Sequence, residues 1–293
     1  MPHFDVFCIG YACYDLTFHV PHHPGSDEKV FADQFLACGG GPAANAAVTA
    51  ARLGAVSGFC GYLGQDTFGE LHVQELRHDQ VNLDFLVRGA EATPLSSVFV
   101  KPEGQRTLVN YQGQTPKLPP YQFDFTSLST RTLLFDGHQP RLSLRAAQAL
   151  AKTTKILDAG SVHEGTLALL DQVDYLVASE KFALDYAGSP EQALTELAKQ
   201  APAVVITLGE KGVIWRRGQE SGQEAAIPVC AVDSNGCGDA YHGAFAAGLA
   251  QRLPWPELLR YAGAAGSVCC TRSGARTGLP YANDIAALLS RPT

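Results

Sequence analysis

From about residue 132 onward the chain repeats one pattern: TLLFD, KILDAG, YLVAS and AVVITLG are short apolar runs, each followed by a helical or turn segment. A strand that is apolar on every residue must be covered on both faces. Parallel strands joined by helical crossovers supply that cover. The rhythm therefore predicts an α/β chain built around a buried, mostly parallel sheet. DVFCIG, from Asp5 to Gly10, reads as a further buried strand at the start. With 293 residues, 46% hydrophobic and 17% charged, there is enough apolar area for one large core and a smaller appendage.

The appendage is legible early. LTFHV and KVFADQFLA alternate like half-exposed strands, with the turn-rich PHHPGSDE between them. SSVFVKPEGQRTLVNYQ reads as a hairpin turning at PEGQ. Two β segments, about 16–38 and 95–111, thus interrupt the βαβ pattern and predict a small sheet projecting from the large one. Gly39-Gly40-Gly41-Pro42 stops the first of them, and PAANAAVTAARLG follows as an Ala-rich helix ending at Gly54. A glycine run at that junction permits hinge motion, so the small sheet is expected to be a lid. VSGFCGYLG then reads as a strand and FGELHVQELRHDQ as a helix. No long linker, low-complexity tract or repeat divides the chain, so a single domain over 1–293 is expected.

Several function classes are disfavoured. A net charge of −7 argues against a nucleic-acid binder using a broad basic face, though not against a local anion pocket. The eight cysteines form no CxxC, and their one close pair, Cys269-Cys270, is vicinal. They read as free thiols in a reducing compartment. MPHFDVFCIGYACYD lacks a basic start, and no apolar run approaches the ~20 residues that span a bilayer. A cytoplasmic location is the expectation.

The chemistry concentrates in DSNGCGDAYHGAF, Asp233 to Phe245. It follows the β-type run AAIPVCAV and opens a helix of small apolar residues. Helix starts carry unpaired N–H groups and partial positive charge. Gly236, Cys237 and Gly238 would turn those amides toward open space with little side chain in the way, an anion site suited to phosphate. Asp239 falls in the first turn, where the dipole favours its ionised, proton-accepting form. A carboxylate beside a phosphate cradle is what phosphoryl transfer to an alcohol requires. An aspartate that merely complements the dipole is the plainer alternative, and this turn alone does not decide between the two. A nucleophilic Cys237 ranks below both, because no histidine partner is evident.

CGGGPAANAAVTAARLGA together with DSNGCGDAYHGAFAAGL resembles the two signature segments of the PfkB/ribokinase family of carbohydrate kinases. The resemblance runs in order along the chain through an early strand ending in Asp15, ITLGEKG and CTRSGARTGLP. Two motifs about 190 residues apart in matching context carry more than either alone. The family implies a ribokinase-like three-layer αβα sandwich with a β lid. It implies ATP with Mg²⁺, a sugar substrate and an alcohol acceptor. By resemblance, Asp239 is the catalytic base, and Gly236, Cys237 and Gly238 form the anion hole. Asp15, Gly40, Gly41 and Asn45 face the sugar. Thr207, Gly209 and Gly212 meet the nucleotide, with Glu180 standing where many members carry N-x-x-E. Asp233 and Gly274 match a monovalent-cation loop, but Gly278 replaces a frequent serine ligand, which puts K⁺ in doubt. His242 is assigned to packing, and His22 and His23 to a solvated lid turn.

Among subgroups, the wording is similar to the sulfofructose kinases. Lys29 and Asn110 fall on lid positions able to meet an anionic tail, while His138 stands where that subgroup has an arginine. Ketohexose, sulfofructose and ribose therefore stay open. A nucleoside kinase would need stacking aromatics from the lid, for which Phe31 and Phe35 are the candidates. A dinucleotide oxidoreductase is disfavoured because GYACYD is not G-x-G-x-x-G after the first strand. A non-catalytic sugar-binding protein would be expected to lose the base. Exposed lid strands also pair between subunits in many proteins, so a homodimer through the lid is expected.

Overall fold

In the computed structural model, which describes residues 3–291, the chain forms two sheets. The strands are β1 (His3–Ile9), β2 (Cys13–His19), β3 (Gln34–Gly40), β4 (Ser57–Gly64), β5 (Asn82–Gly89), β6 (Leu95–Val100), β7 (Arg106–Tyr111), β8 (Ser129–Phe135), β9 (Thr154–Ala159), β10 (Tyr175–Ser179), β11 (Ala203–Thr207), β12 (Val213–Arg217) and β13 (Glu220–Glu224). The helices are α1 (Pro42–Arg52), α2 (Thr67–His78), α3 (Pro140–Ala149), α4 (Glu164–Leu167), α5 (Glu180–Ala187), α6 (Pro190–Leu197), α7 (Cys237–Ala250), α8 (Trp255–Cys269), α9 (Ala275–Gly278) and α10 (Ala282–Leu289).

The large sheet runs β13-β12-β11-β10-β9-β8-β1-β4-β5 and is parallel except for the β11-β12-β13 meander. Successive residues of its central strands serve opposite faces, as strand geometry demands. On β1, Val6 and Cys8 join one core with α1, α7 and α8, while Phe7 and Ile9 join a second with α3, α5 and α6. Leu134 and Ile156 belong to the first core, and Leu133, Phe135 and Leu157 to the second. This two-sided burial is why those strands are apolar throughout. The first core packs α1 tightly on α7: a Cβ on Gly243 would come within 2.5 Å of the Ala46 carbonyl oxygen.

The small sheet runs β3-β2-β6-β7, with β2 and β6 parallel and the outer pairs antiparallel. It draws on both of the expected lid segments. Only Gly10–Ala12 separates β1 in one sheet from β2 in the other, so the junction is short. The hairpin turns at Gly104, whose φ of 80° suits glycine.

Three local readings need correcting. Lys29 to Asp33 is not strand, and β3 begins only at Gln34. AAIPVCAV forms no ladder and crosses the surface as coil, where Pro228 could not have donated to one. β5, β12 and β13 went unread. The residues of β5 are only part-covered, and four of the five β13 residues are exposed, so neither strand carries a buried-strand pattern. Among the described residues, no helix is long and apolar enough to cross a membrane.

Candidate active site

The glycine–aspartate turn lies at the carboxyl end of the parallel strands, the usual crevice of open α/β sheets. Gly236 caps α7 with φ 78°, and a Cβ there would sit 2.8 Å from Ala275 Cβ. Conformation and packing both demand glycine at this position. Gly238 differs: a Cβ there meets nothing within 4 Å. The fold places nothing over this residue. The amides of Gly238 and Asp239 find no acceptor among the described residues, and that of Cys237 reaches only the Ser234 carbonyl, at 3.4 Å. These are the unpaired donors of a helix start, open on one side.

The turn is fixed from behind by Asp233, which is buried. Its two carboxylate oxygens accept from Asn235 N and Gly274 N, each at 2.8 Å. Two carboxyl-terminal loops are thereby stapled together. Gly274, at φ 83°, leaves no room for a Cβ beside Leu36.

Asp239 is half-buried, and its Oδ2 accepts a 2.7 Å hydrogen bond from Asn45 Nδ2. Burial raises its carboxyl above the ordinary value, although the Asn45 hydrogen bond and the charges of His242 and Arg106 pull it down. The helix dipole favours the ionised form; desolvation outweighs it. For a base this is useful, since a higher pKa makes the carboxylate a better proton acceptor. Asn45 is 1% exposed, and its Oδ1 is taken by Arg276. It sits beside the base with one N–H left for a substrate, rather than offering both amide ends to a sugar.

Asp15, on β2, is buried and held above the usual carboxylate range by that burial. Cys13 Sγ and Asn235 Nδ2 lie against it at 3.3 and 3.4 Å. Gly40 is required beneath it, because a Cβ there would fall 2.5 Å from its carboxylate, and Gly41 turns away at φ 94°. Across the small sheet Asp15 pairs with Ser96, which pairs with Asn110. The three side chains therefore share one face. Lys29 stands exposed on the loop before β3. Arg106, at the start of β7, brings its charge to bear on both Asp239 and Cys237.

Beside β1, Asp136 accepts from Tyr11 N at 2.7 Å, Ala43 N at 3.2 Å and His138 N at 2.9 Å. This carboxylate orients the start of α1. His138 stacks on Tyr11 at 4.8 Å between ring centroids, with His163 at 4.9 Å. Burial works against its protonation, but the Asp136 carboxylate, 3.3 Å away, prevails and raises its pKa. His242 bolts the first turn of α7 to β10: Nδ1 lies 2.6 Å from the Gly238 oxygen and Nε2 3.2 Å from that of Val177. Asp158, 3.4 Å from His242, is pushed up to about 7 by burial. Cys237 is not activated, since its contact with the Cys269 thiol raises its pKa.

On the other side of α7, Thr207 ends β11, and Gly209 and Gly212 take φ of 59° and 88° in the turn that follows. A Cβ on Gly212 would collide with the Glu224 carbonyl, whereas Gly209 faces open space. Glu180 opens α5 and lies 3.8 Å from Lys211. His22 pairs with Glu28 on the exposed turn between β2 and β3.

The structure thus gathers Asp15, Gly40, Asn45, Asp136, His138 and the 233–239 turn at one end of the sheet. Asn235, Asp136, Arg106 and Arg276 were missed in the sequence. For Asp136 a signal existed: a carboxylate closing the apolar run TLLF at its carboxyl end.

The pfkB family carbohydrate kinase pattern matches residues 3–282, and the chain belongs to that family. It is 27% identical to the ribokinase of Lactococcus lactis over 97% of this chain and 96% of that protein. It is 27% identical to a probable fructokinase of Arabidopsis thaliana over 87% of this chain and 89% of the other. The Arabidopsis thaliana ribokinase solved with ribose and ATP superimposes with a TM-score of 0.84 at 25% identity, covering 99% of this chain and all of its own. The fold is ribokinase-like.

Proposed function

We propose that this chain is an ATP-dependent sugar kinase that transfers the γ-phosphoryl group to a hydroxyl, a primary one, of a ketohexose, sulfofructose or ribose. The observation that carries this reading is the pairing of a hydrogen-bonded carboxylate, Asp239, with unpaired amides at Gly238 and Asp239 where the fold leaves open space. Asp239 accepts the proton of the attacking hydroxyl, and the amides take up charge on the moving phosphoryl. Asp15 and the remaining Asn45 N–H orient sugar hydroxyls. Thr207, Gly209 and Gly212 line the nucleotide side.

Among the described residues no three His, Cys, Asp or Glu side chains are grouped to hold a metal. Mg²⁺ would be carried by nucleotide phosphates and would neutralise their charge, with Glu180 the carboxylate on that side. The Asp233–Gly274 seam fits a monovalent cation poorly. Gly278 supplies no side-chain oxygen there, and a Cβ at that position would meet the Cys269 carbonyl at 2.7 Å.

The test is ADP release across ketoses, pentoses, sulfosugars and nucleosides. A sugar should support turnover, whereas release with nucleosides alone would replace this reading. His138→Arg should improve kcat/KM for sugars bearing a terminal anion by on the order of tenfold, through a fixed bidentate cation in place of imidazole. An unaltered substrate ranking would remove His138 from the pocket.

The small sheet acts as the lid, and we extend the proposal to a dimer through it. Its edge strand β7 is exposed along its whole length, and Val109, Tyr111, Phe31 and Phe35 are 62, 55, 79 and 59% exposed. Sedimentation should give a dimer that Val109→Lys converts to monomer at a stability cost within about 0.5 kcal/mol. A monomeric parent chain would refute it.

A further inference from the structure

Arg276, on α9, lies behind the base and is 3% exposed. Its Nε and Nη2 donate to Asn45 Oδ1 at 3.2 and 3.1 Å. Nη2 also lies 3.0 Å from His72 Nε2, and Nη1 is 3.8 Å from Glu75 Oε2. Arginine only donates, and an ionised carboxylate only accepts. Between them the Asn45 carboxamide has one satisfactory orientation, with Oδ1 toward Arg276 and Nδ2 toward Asp239. Turned over, it would set its oxygen against the Asp239 carboxylate and its NH₂ against the guanidinium.

We propose that Arg276 is a positioning residue for catalysis, holding Asn45 in the one orientation that donates to Asp239. The proposal rests on Asp239 being the base, as argued above. Its surroundings are consistent with a fixed cation. His72 is held neutral by burial and by the Arg276 charge, so Nε2 can accept. Glu75 accepts from Gly39 N at 2.8 Å, tying the same cluster to the glycine junction of the small sheet. Arg52 donates to the Arg276 carbonyl at 2.9 Å while paired with Asp79 at 2.8 and 3.0 Å, which anchors α9.

The charged and titratable groups around Arg276 are Glu75, His72 and Asp79 from α2 and its end, Arg52 from α1, Cys38 from β3 and Tyr14 from β2. Those around Asp239 are His242 on its own helix, Arg106 on β7, Asp136 after β8, Asp158 on β9, and Asp15 and Cys13 on β2. None of the latter set donates to Asn45 Oδ1, whose hydrogen bonds both come from Arg276.

The experiment is a cycle of Arg276→Gln, Asn45→Ala and the double variant, with kcat, KM and pH profiles. Arg276→Gln should lower kcat by about 10- to 100-fold, with sugar and ATP KM within about threefold. The acid limb of kcat should move to higher pH, because the Asn45 hydrogen bond lowers the Asp239 carboxyl alongside the charges of His242 and Arg106. In the Asn45→Ala background the same change should cost less than about threefold. Arg276→Lys should restore part of the loss and, if Arg276→Gln does not fold, replaces it in the cycle. Full additivity, or an unshifted acid limb with kcat reduced, would reduce Arg276 to a structural role and overturn the proposal. If Asp239→Asn keeps turnover, the base assignment itself fails. If Asp239→Asn is inactive while Arg276→Gln is unaffected, only the present proposal fails.

Discussion

Asp239→Asn is expected to lower kcat by about 10³-fold or more, while ATP and sugar still bind within a few-fold of the parent chain. Asparagine keeps the shape and can still accept the Asn45 hydrogen bond, but it cannot take a proton. The same change should raise thermal stability at neutral pH. Burial lifts the folded-state pKa above the ordinary carboxylate value of 3.8, so the group favours folding below that value and loses the benefit as pH rises through the higher folded pKa. Above its folded pKa the parent chain therefore carries a desolvated charge that the variant lacks. The gap in melting temperature should narrow as pH falls toward 3.8. Unchanged turnover, measured as ADP release, would remove Asp239 from the chemistry.

The two glycines flanking Cys237 should behave in opposite ways. Gly236→Ala places a side chain at φ 78° and 2.8 Å from Ala275 Cβ. The backbone alone costs about 1–2 kcal/mol, and the contact adds to it. The melt should fall, and activity should fall with it. Gly238→Ala meets nothing within 4 Å and replaces a glycine within a helix, so stability should hold or rise by up to about 1 kcal/mol. Its methyl group would nonetheless project into the space where a phosphoryl must reach the amides, and kcat should fall on the order of 10²-fold. Denaturant melts beside ADP release separate the two effects. A Gly238→Ala variant with full turnover would show that the open space is not the transfer site.

The parts of this molecule that could be read from its sequence are those where one local pattern has one physical solution. TLLFD and KILDAG are apolar throughout because both faces of their strands are covered, and only a parallel sheet between helices does that. The 233–245 turn announced itself because glycines at a helix start need a reason. The polar strand β13 gave no such pattern, and AAIPVCAV gave a misleading one, since apolar residues in coil look like strand until a ladder is sought. The site divides along the same line. Asp239, Asp15 and the glycines sit in short motifs. Arg276 meets Asn45 across 231 positions of sequence, and no local spacing encodes such a contact. Asp136 lay between the two cases, visible as a carboxylate at a strand end but eclipsed by the neighbouring histidine.

The helix that carries Asn45 is folded against the one that carries Asp239, although 194 positions separate those two residues. During synthesis from the amino terminus, the alanine-rich flank of α1 waits, uncovered, for a partner made near the finish. The docking of α7 that brings Asp239 to Asn45 is thus the same event that covers the alanine-rich flank of α1.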